Sequence, residues 1–436
     1  MVYSLYFHVP FCLHRCAYCD FNTYAGQEAL IPAYVDALCR EIRAVAERAP
    51  EHLPVHTIFF GGGTPSLLSP QYFAQILQIV RSSFDLFPSD TLEASLEANP
   101  GTVNLASLRD LRQLGFNRIS FGVQSAHPDE LRQLERIHDF YDVIHSVEWA
   151  RQAGFDNLNL DLIYGLPEQT LERWQATVKR AIDLNPEHLS LYALTVEPGT
   201  PFGRWAARGL MLMPDPDLAA DMYEWAEQYL EAKGFVHYEI SNWAKMNDEG
   251  RMQNDELEHD SSFCIHHSAF ECNHNLQYWR NQPYLGFGAG AHGYANRMRV
   301  ANVLRIKTYI EHLQPDYSLP NNLIPNPSFP LSPATVSQTR LTPRVEMQET
   351  MLTGLRLTQE GVSAAAFQER FGVGLKDVFG KEIDELIGLG LLEWVHLPLP
   401  LPFPCREGGR RGDRSLRLTK RGRLLGNRVF MRFVGE

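Results

Sequence analysis

The first half of the sequence alternates between short strand patterns and helical patterns, and this alternation limits the possible folds more than any other feature. Alternating or continuous apolar blocks predict strands at residues 3–9, 56–60, 92–97, 118–123, 158–163 and 189–194. Helical periodicity occupies intervening stretches, notably residues 31–47, 105–114, 141–153 and 171–184. Strand and helix alternating six times predict parallel βαβ units, and therefore an α/β fold with an open six-unit (β/α) partial barrel.

Glycine and polar residues follow the predicted strands at the end where α/β barrels carry their chemistry. The residues concerned are Gly61–Gly63, Glu97, Asn99, Gln124, Ser125 and Asp161. Glycines allow backbone N–H groups to approach a ligand closely, while acids, amides and hydroxyls suit a polar cofactor with ribose hydroxyls and an amino group. The alternatives are a tight turn for the glycines and internal hydrogen bonds of the barrel for the other residues.

Three cysteines, Cys12, Cys16 and Cys19, lie in a loop directly after the first predicted strand, which Pro10 ends. Three thiolates this close together can hold three irons of a 4Fe–4S cluster and leave the fourth iron open to a ligand that is not protein. A structural zinc site of three Cys plus His8 or His14 is the alternative. The spacing Cys-x-x-x-Cys-x-x-Cys resembles the signature of the radical S-adenosylmethionine (SAM) enzymes, in which SAM binds the open iron.

Further blocks extend the resemblance along nearly the whole chain. Gly-Gly-Gly-Thr-Pro-Ser (61–66), Leu-Glu-Ala-Asn-Pro-Gly (96–101), Ile-Ser-Phe-Gly-Val-Gln-Ser (119–125) and Asn-Leu-Asn-Leu-Asp-Leu-Ile-Tyr-Gly-Leu-Pro (157–167) resemble conserved blocks of the oxygen-independent coproporphyrinogen III oxidase family. The resemblance implies that the cysteines hold the 4Fe–4S cluster. It also implies SAM contacts from Tyr6, Tyr18, Gly63, Thr64, Glu97, Gln124, Arg136, Asp161 and Thr195.

A polar segment from residue 245 to 280 carries a second group of metal-binding residue types. Cys264, His266, His267, Cys272 and His274 fall within eleven positions, which suits either a zinc or haem-iron site or a surface insertion with incidental ligand types. His-Asn-Leu-Gln-Tyr-Trp (274–279) matches a family motif associated with haem, so the resemblance implies haem contacts from His274, Tyr278 and Trp279. Alternatively, the two aromatic residues belong to the core and the histidine satisfies a backbone group.

The remaining chain predicts smaller domains around the barrel. We expect the barrel domain at residues 1–240, a connecting region with the haem motif at 241–314, a linker or loop rich in Pro and Asn at 315–343, and a C-terminal domain at 344–436. Helical patterns at 346–357, 364–371 and 378–391, followed by a strand at 415–419 and a final helix, predict a mainly helical, winged-helix-like fold for the last domain. We do not expect it to bind nucleic acid.

Net charge argues against a general nucleic-acid binder, and cysteine content favours a cytoplasmic protein. The formal net charge of −12 argues against general nucleic-acid binding, although residues 406–436 hold ten Lys and Arg against three Asp and Glu. This basic stretch is either a solvated face or a peripheral contact to an anionic membrane surface. Seven cysteines, three of them in the cluster loop, argue against a disulfide framework. No export signal or apolar span is visible at the sequence level, which also favours the cytoplasm.

Two features indicate which branch of this family the chain resembles. The oxidases carry a fourth cysteine two positions after the third and a longer N-terminal extension, whereas here Phe21 occupies that position and eleven residues precede Cys12. The resemblance therefore implies the haem-chaperone branch, whose members bind cluster, SAM and haem and pass haem to acceptor proteins. The alternatives are an oxygen-independent coproporphyrinogen III oxidase that decarboxylates porphyrinogen propionates and a cluster-dependent haem sensor. Whether SAM is cleaved or only bound stays open.

Overall fold

The computed structural model describes residues 1–49, 51–246, 268–315, 330–397 and 413–434. The strands are β1 (Tyr3–Val9), β2 (Phe11–Cys12), β3 (Tyr24–Ala25), β4 (Pro54–Gly62), β5 (Asp85–Leu86), β6 (Glu93–Ala98), β7 (Arg118–Gln124), β8 (Leu158–Tyr164), β9 (His188–Ala193), β10 (Phe235–Glu239), β11 (Asn242–Lys245), β12 (Tyr284–Phe287), β13 (His292–Ala295), β14 (Met298–Asn302), β15 (Thr335–Arg340), β16 (Val362–Ser363), β17 (Leu392–Leu397) and β18 (Asp413–Leu418).

The α-helices alternate with these strands in the first half of the chain and cluster in the last quarter. They are α1 (Ile31–Arg48), α2 (Pro70–Ser83), α3 (Leu105–Gln113), α4 (Pro128–Gln133), α5 (Phe140–Gln152), α6 (Leu171–Asp183), α7 (Pro201–Ala207), α8 (Pro216–Ala232), α9 (Asn273–Trp279), α10 (Ile306–His312), α11 (Pro343–Gly354), α12 (Ala364–Phe371), α13 (Leu375–Gly388), α14 (Lys420–Leu424) and α15 (Gly426–Phe433). Two compact units result, one of Met1–Ala226 with Gln282–Arg340 and the other of Glu227–Asn281 with Leu341–Glu436.

The first unit is built on one open sheet in the order β9-β8-β7-β6-β4-β1-β12-β13-β14-β15. The six strands expected from the sequence, β1, β4, β6, β7, β8 and β9, pair in parallel as expected. Parallel neighbours require crossover connections, which the intervening helices supply. The predicted α/β class with a parallel sheet is therefore confirmed. The carboxyl ends of the six strands lie at one edge, which brings together the residues that follow them.

The sequence explains why these strands are buried and where the helices begin. Phe7, Phe60 and Phe287, from three adjacent strands, stack with ring centroids 4.7 and 5.2 Å apart and form part of the core. Several helices begin with proline in the first turn, where the missing N–H costs nothing. The side chain of Asn104 caps α3 by accepting a hydrogen bond from the backbone N–H of Ser107.

The second unit contains the C-terminal domain. β16, β18 and β17 form a small antiparallel sheet, and the helices α11, α12, α13 and α15 contribute to its apolar core, which includes Phe367, Phe379 and Phe433. This arrangement confirms the mainly helical, winged-helix-like prediction. The hairpin of β10 and β11 belongs to the same unit, as does α9 with the predicted haem motif.

The predicted linker at residues 315–343 is wrong in its second half. Residues 335–340 form β15, which pairs antiparallel with β14, and α11 begins at Pro343. β15 is an edge strand in which only Thr335 is buried, so its pairing depends on backbone hydrogen bonds and leaves no hydrophobic alternation in the sequence. Residues 316–329 lie outside the described residues.

Candidate functional site

The cysteine loop begins where β1 ends, and β2 and β3 within it form a separate two-stranded parallel sheet. Cys12 lies on β2, which pairs with β3, and Cys19 donates its backbone N–H to the carbonyl of Cys16 at 3.2 Å. Cys12 is buried, and Cys16 and Cys19 are half-buried. All three are free thiols rather than disulfide partners. The loop thus places three thiols close together, beside the carboxyl ends of the parallel strands.

Each thiol has a polar neighbour. The hydroxyl of Thr64 lies 3.7 Å from Cys12 Sγ, Arg136 Nη1 lies 3.5 Å from Cys16 Sγ, and the hydroxyl of Thr23 lies 3.9 Å from Cys19 Sγ. Burial raises the pKa of Cys12 to about 11 against partial lowering by the Thr64 hydroxyl, and burial also raises the pKa of Cys19. Strong positive charge, which a metal cluster supplies, would therefore favour the thiolates of Cys12 and Cys19.

The three thiols of the loop match the donor set of a 4Fe–4S cluster. No group of three or more His, Cys, Asp or Glu side chains within the described ranges converges to hold one metal ion. In a 4Fe–4S cube each thiolate binds its own iron, so the sulfurs need not converge. The histidines of the zinc alternative are engaged elsewhere, since His8 contacts the Tyr6 hydroxyl and the carbonyl of Asn22 and His14 pairs with Glu135.

A glycine leaves room beside the first thiol. A Cβ atom at Gly63 would lie 2.6 Å from the carbonyl oxygen of Phe11 and 3.0 Å from both Cys12 Sγ and the carbonyl oxygen of Val9. Gly63 also donates its backbone N–H to Val9 at 2.8 Å. Only glycine therefore allows the chain after β4 to pack this closely on the cysteine loop.

Two acids, Glu97 and Asp161, lie half-buried near the same edge of the sheet. Glu97 Oε2 accepts the backbone N–H of Gly62 at 3.0 Å, and Asp161 accepts hydrogen bonds from Ser120 and Asn159 at 2.9 and 2.8 Å. Burial and, secondarily, the charge of Asp161 raise the pKa of Glu97 to about 7, and burial raises the pKa of Asp161. Acids in this state favour a ligand that brings hydrogen-bond donors or positive charge.

Gln124 adopts a left-handed backbone with φ of 67° at the end of β7, where the register with β8 shifts. The next residue, Ser125, donates its hydroxyl to buried Glu130 at 2.5 Å. A Cβ at Gly122 would lie 3.0 Å from Gln124 Nε2 and 3.2 Å from both Arg136 Nη2 and Asn99 Oδ1. Three polar side chains therefore converge above a glycine, and one of them belongs to a residue with a strained backbone, which is typical of a binding site.

The remaining SAM residues predicted from the sequence lie around this edge. Tyr6 shares a hydrogen bond with His8 Nδ1 at 3.1 Å, and Tyr18 packs against the apolar group around Phe202. Thr195 is exposed beyond the end of β9. Two further residues at this edge, Asn99 and Gly122, have no predicted SAM contact, and their only signal in the sequence is the polar side chain of Asn99 at a strand end. The structure places both beside Arg136.

The predicted haem motif occupies the short helix α9 in the second unit. His274 is buried, and its Nε2 shares a hydrogen bond with the Tyr278 hydroxyl at 2.9 Å, one helical turn away. Trp279 lies under the guanidinium of Arg356, 4.4 Å from the ring centroid. Cys272 is buried directly before the helix, whereas Cys264, His266 and His267 lie outside the described residues.

Comparisons with known proteins agree with this geometry. The Radical SAM superfamily profile matches residues 6–181, and the HemN C-terminal domain profile matches residues 341–394. The heme chaperone HemW of Bacillus subtilis (strain 168) is 36% identical over 435 residues, which cover 99% of each chain. The heme chaperone HemW of Escherichia coli (strain K12) is 39% identical over 291 residues, covering 66% of this chain and 69% of that protein.

Among solved structures, coproporphyrinogen III oxidase (HemN) from Escherichia coli, titled a radical SAM enzyme, has a TM-score of 0.74 at 24% identity, covering 99% of this chain and 89% of that chain. The open parallel sheet and three-cysteine loop, followed by a C-terminal domain of the HemN type, define a radical SAM protein. Within that class, the chain belongs to the heme chaperone HemW family. None of the helices in the described ranges is long and apolar enough to cross a membrane.

Proposed function

We propose that the protein is a haem chaperone that binds a 4Fe–4S cluster, SAM and haem and delivers haem to acceptor proteins. The observation that carries this proposal is the similarity to a named heme chaperone over 99% of both chains, because it includes the second unit with His274. Phe21, which is exposed at the position of a fourth cysteine in the oxidases, supports the same choice.

Cys12, Cys16 and Cys19 would hold the cluster, which supplies one electron to bound SAM when reduced. The protein's own groups bind and orient the partners. Thr64 and Arg136 donate hydrogen bonds toward the thiols and balance their negative charge. Glu97, Asp161 and Gln124 offer acceptors and an amide at the strand ends for the hydroxyl and amino groups of SAM.

Haem would bind in the second unit through the motif on α9. A neutral imidazole can ligate haem iron, and the flat side chains of Tyr278 and Trp279 suit a porphyrin surface. His274 is buried and its Nε2 is bonded to Tyr278, so ligation of iron through Nε2 exchanges this hydrogen bond for the iron. Ligation through Nε2 therefore requires the side chains of His274 and Tyr278 to move apart.

The test is an anaerobic haemin titration of the cluster-loaded protein, followed by the Soret absorbance. We expect saturation at one haem per chain, clear weakening in His274→Ala and no change in His396→Ala, which removes an exposed histidine of the same unit. Equal binding by wild type and His274→Ala would reject His274 as the haem ligand. Absence of a saturable band in the wild type would reject the carrier function.

A further inference from the structure

Asn99 lies between two side chains that contact the cluster-loop thiols. Its Nδ2 donates to the Thr64 hydroxyl at 2.9 Å, and its Oδ1 accepts from Arg136 Nη2 at 2.7 Å. The Thr64 hydroxyl faces Cys12 Sγ, and the other terminal nitrogen of Arg136 faces Cys16 Sγ. The carboxamide of Asn99 therefore links the two side chains that donate to Cys12 and Cys16.

The position of Asn99 is itself well determined. Its backbone N–H donates to the Ser66 hydroxyl at 3.4 Å, and its carbonyl accepts the Thr102 hydroxyl at 2.6 Å. The Ser66 and Thr102 hydroxyls are 2.6 Å apart and complete a small hydrogen-bonded group. Asn99 is consequently a fixed point after β6 rather than a mobile surface amide.

The contact between Asn99 and Arg136 also depends on Gly122, whose carbonyl is a second acceptor for Arg136. Arg136 Nη2 donates to the carbonyl of Gly122 at 2.7 Å, and the absent side chain at that glycine leaves the space in which Asn99 and Arg136 meet. A pocket beside this group is lined by Cys16, Thr64, Asn99 and Arg136, with Leu13 and Ile137 at its exposed side. Thr64 is buried and Arg136 is half-buried, and Asn99 hydrogen-bonds to both of them beside this pocket.

We propose that Asn99 is a positioning residue that holds the Thr64 hydroxyl and the Arg136 guanidinium on the thiolates of Cys12 and Cys16 and thereby raises the reduction potential of the cluster. The inference rests on the cluster-binding part of the proposed function and not on haem binding. Hydrogen bonds to cluster sulfurs withdraw electron density and favour the reduced state, and groups behind the ligands set their geometry. Loss of Asn99 weakens both donors at once.

The test is a redox titration of reconstituted Asn99→Ala, followed by electron paramagnetic resonance of the reduced cluster. We expect a more negative midpoint potential than in the wild type and faster loss of iron to a chelator. The matched control is Asn104→Ser, which alters a nearby asparagine but retains a side chain able to cap α3, and we expect its potential to equal that of the wild type.

Two further variants separate positioning from a general structural effect. Thr64→Val removes the donor to Cys12 directly, and we expect the shift in Asn99→Ala/Thr64→Val to be smaller than the sum of the single shifts, because Asn99 acts through Thr64. If Asn99→Ala does not fold, Asn99→Ser is measured instead, since one short hydroxyl cannot span both partners; its potential must also become more negative.

The outcomes distinguish the inference from the proposed function. An unchanged potential in Asn99→Ala or Asn99→Ser overturns the inference, and so does iron loss without a shift in potential, which would indicate a merely structural role. Additive shifts in the double variant would show that Asn99 does not act through Thr64. Failure of the wild type to take up iron would instead reject the cluster assignment.

Discussion

The cysteine loop of the first unit and the haem motif of the second differ in how far each is prepared for its ligand. Around the cysteines, hydrogen-bond donors already face the thiols, and glycines already leave space. In the haem motif the expected iron ligand, His274, is buried, and its Nε2 already shares a hydrogen bond with Tyr278. The difference suits a resident cofactor that is held permanently and a cargo that must be taken up and released, because preorganisation strengthens binding and rearrangement weakens it.

Removal of one thiol should have the largest effect of the variants considered, because it should abolish cluster binding in the first unit. We expect Cys16→Ala to lose the cluster and its brown absorbance, while the unfolding free energy of the metal-free protein changes by less than about 1 kcal/mol. Iron content and chemical unfolding measure the two effects. Cys39→Ala, which removes a buried free thiol in α1 outside the loop, should retain its iron. Full iron in Cys16→Ala would contradict the cluster site.

The close packing behind the loop gives the next largest effect. Gly63→Ala places a Cβ within 2.6 Å of the carbonyl oxygen of Phe11, so backbone must move. We expect a loss of about 1–3 kcal/mol in unfolding free energy together with reduced iron content. Gly199→Ala, where a Cβ meets nothing within 4 Å, is the control and should keep its iron. Wild-type iron content in Gly63→Ala would show that the loop is less tightly packed.

A buried acid predicts a pH dependence specific to the second unit. Glu239 is fully buried, Asn242 donates to its Oε1, and its Oε2 has no hydrogen-bond partner among the described residues. Burial raises the pKa of Glu239 from 4.5 to about 7, partly opposed by Arg356. Because the folded pKa lies above the unfolded one, the stabilisation is complete below about pH 4.5 and is lost as pH rises through 7.

The measurement is urea unfolding of wild type and Glu239→Gln between pH 5 and pH 8. We expect the unfolding free energy of the wild type to fall relative to that of the variant by up to about 3 kcal/mol. A difference that stays constant with pH, or that grows in favour of the wild type at high pH, would contradict the buried neutral acid.

Loss of the hydrogen bond of His274 should have the smallest effect, a change in haem affinity. It tests directly whether the haem motif must rearrange to bind its ligand. Tyr278→Phe removes the hydroxyl that bonds to His274 Nε2, so ligation of haem iron through Nε2 no longer has to break that bond. Since such a bond contributes about 0.5–1.5 kcal/mol, we expect haem affinity to rise by about two- to tenfold. The haemin titration of the variant measures this. Weaker binding would instead identify the Tyr278 hydroxyl as a direct haem contact.

Much of the cysteine site could be predicted because its signals are local. The spacing of Cys12, Cys16 and Cys19 is visible in eight consecutive residues, and parallel strands bring residues such as Glu97 to one edge. Asn99 was not assigned a role because its partners Thr64 and Arg136 are 35 and 37 positions away, and only the folded chain brings them together.

The sequence pattern does not indicate β15, whereas it does contain a signal for the contact between His274 and Tyr278. β15 pairs through its backbone with mostly exposed polar side chains, so periodicity does not indicate it. The contact of His274 with Tyr278 follows from their spacing of four on a helix, and it could have been predicted. That the imidazole is buried depends on packing within the second unit, which the motif does not contain.

Direct transfer of haem tests the central claim most directly. Haem-loaded protein is mixed with an apo-haem protein as acceptor, and the exchange of Soret spectra is compared with the spontaneous dissociation of haem into an excess of apomyoglobin. A haem chaperone should transfer haem faster than it releases haem spontaneously, with a rate that rises with acceptor concentration. A transfer rate equal to the dissociation rate at every acceptor concentration would contradict delivery and leave only haem storage or sensing.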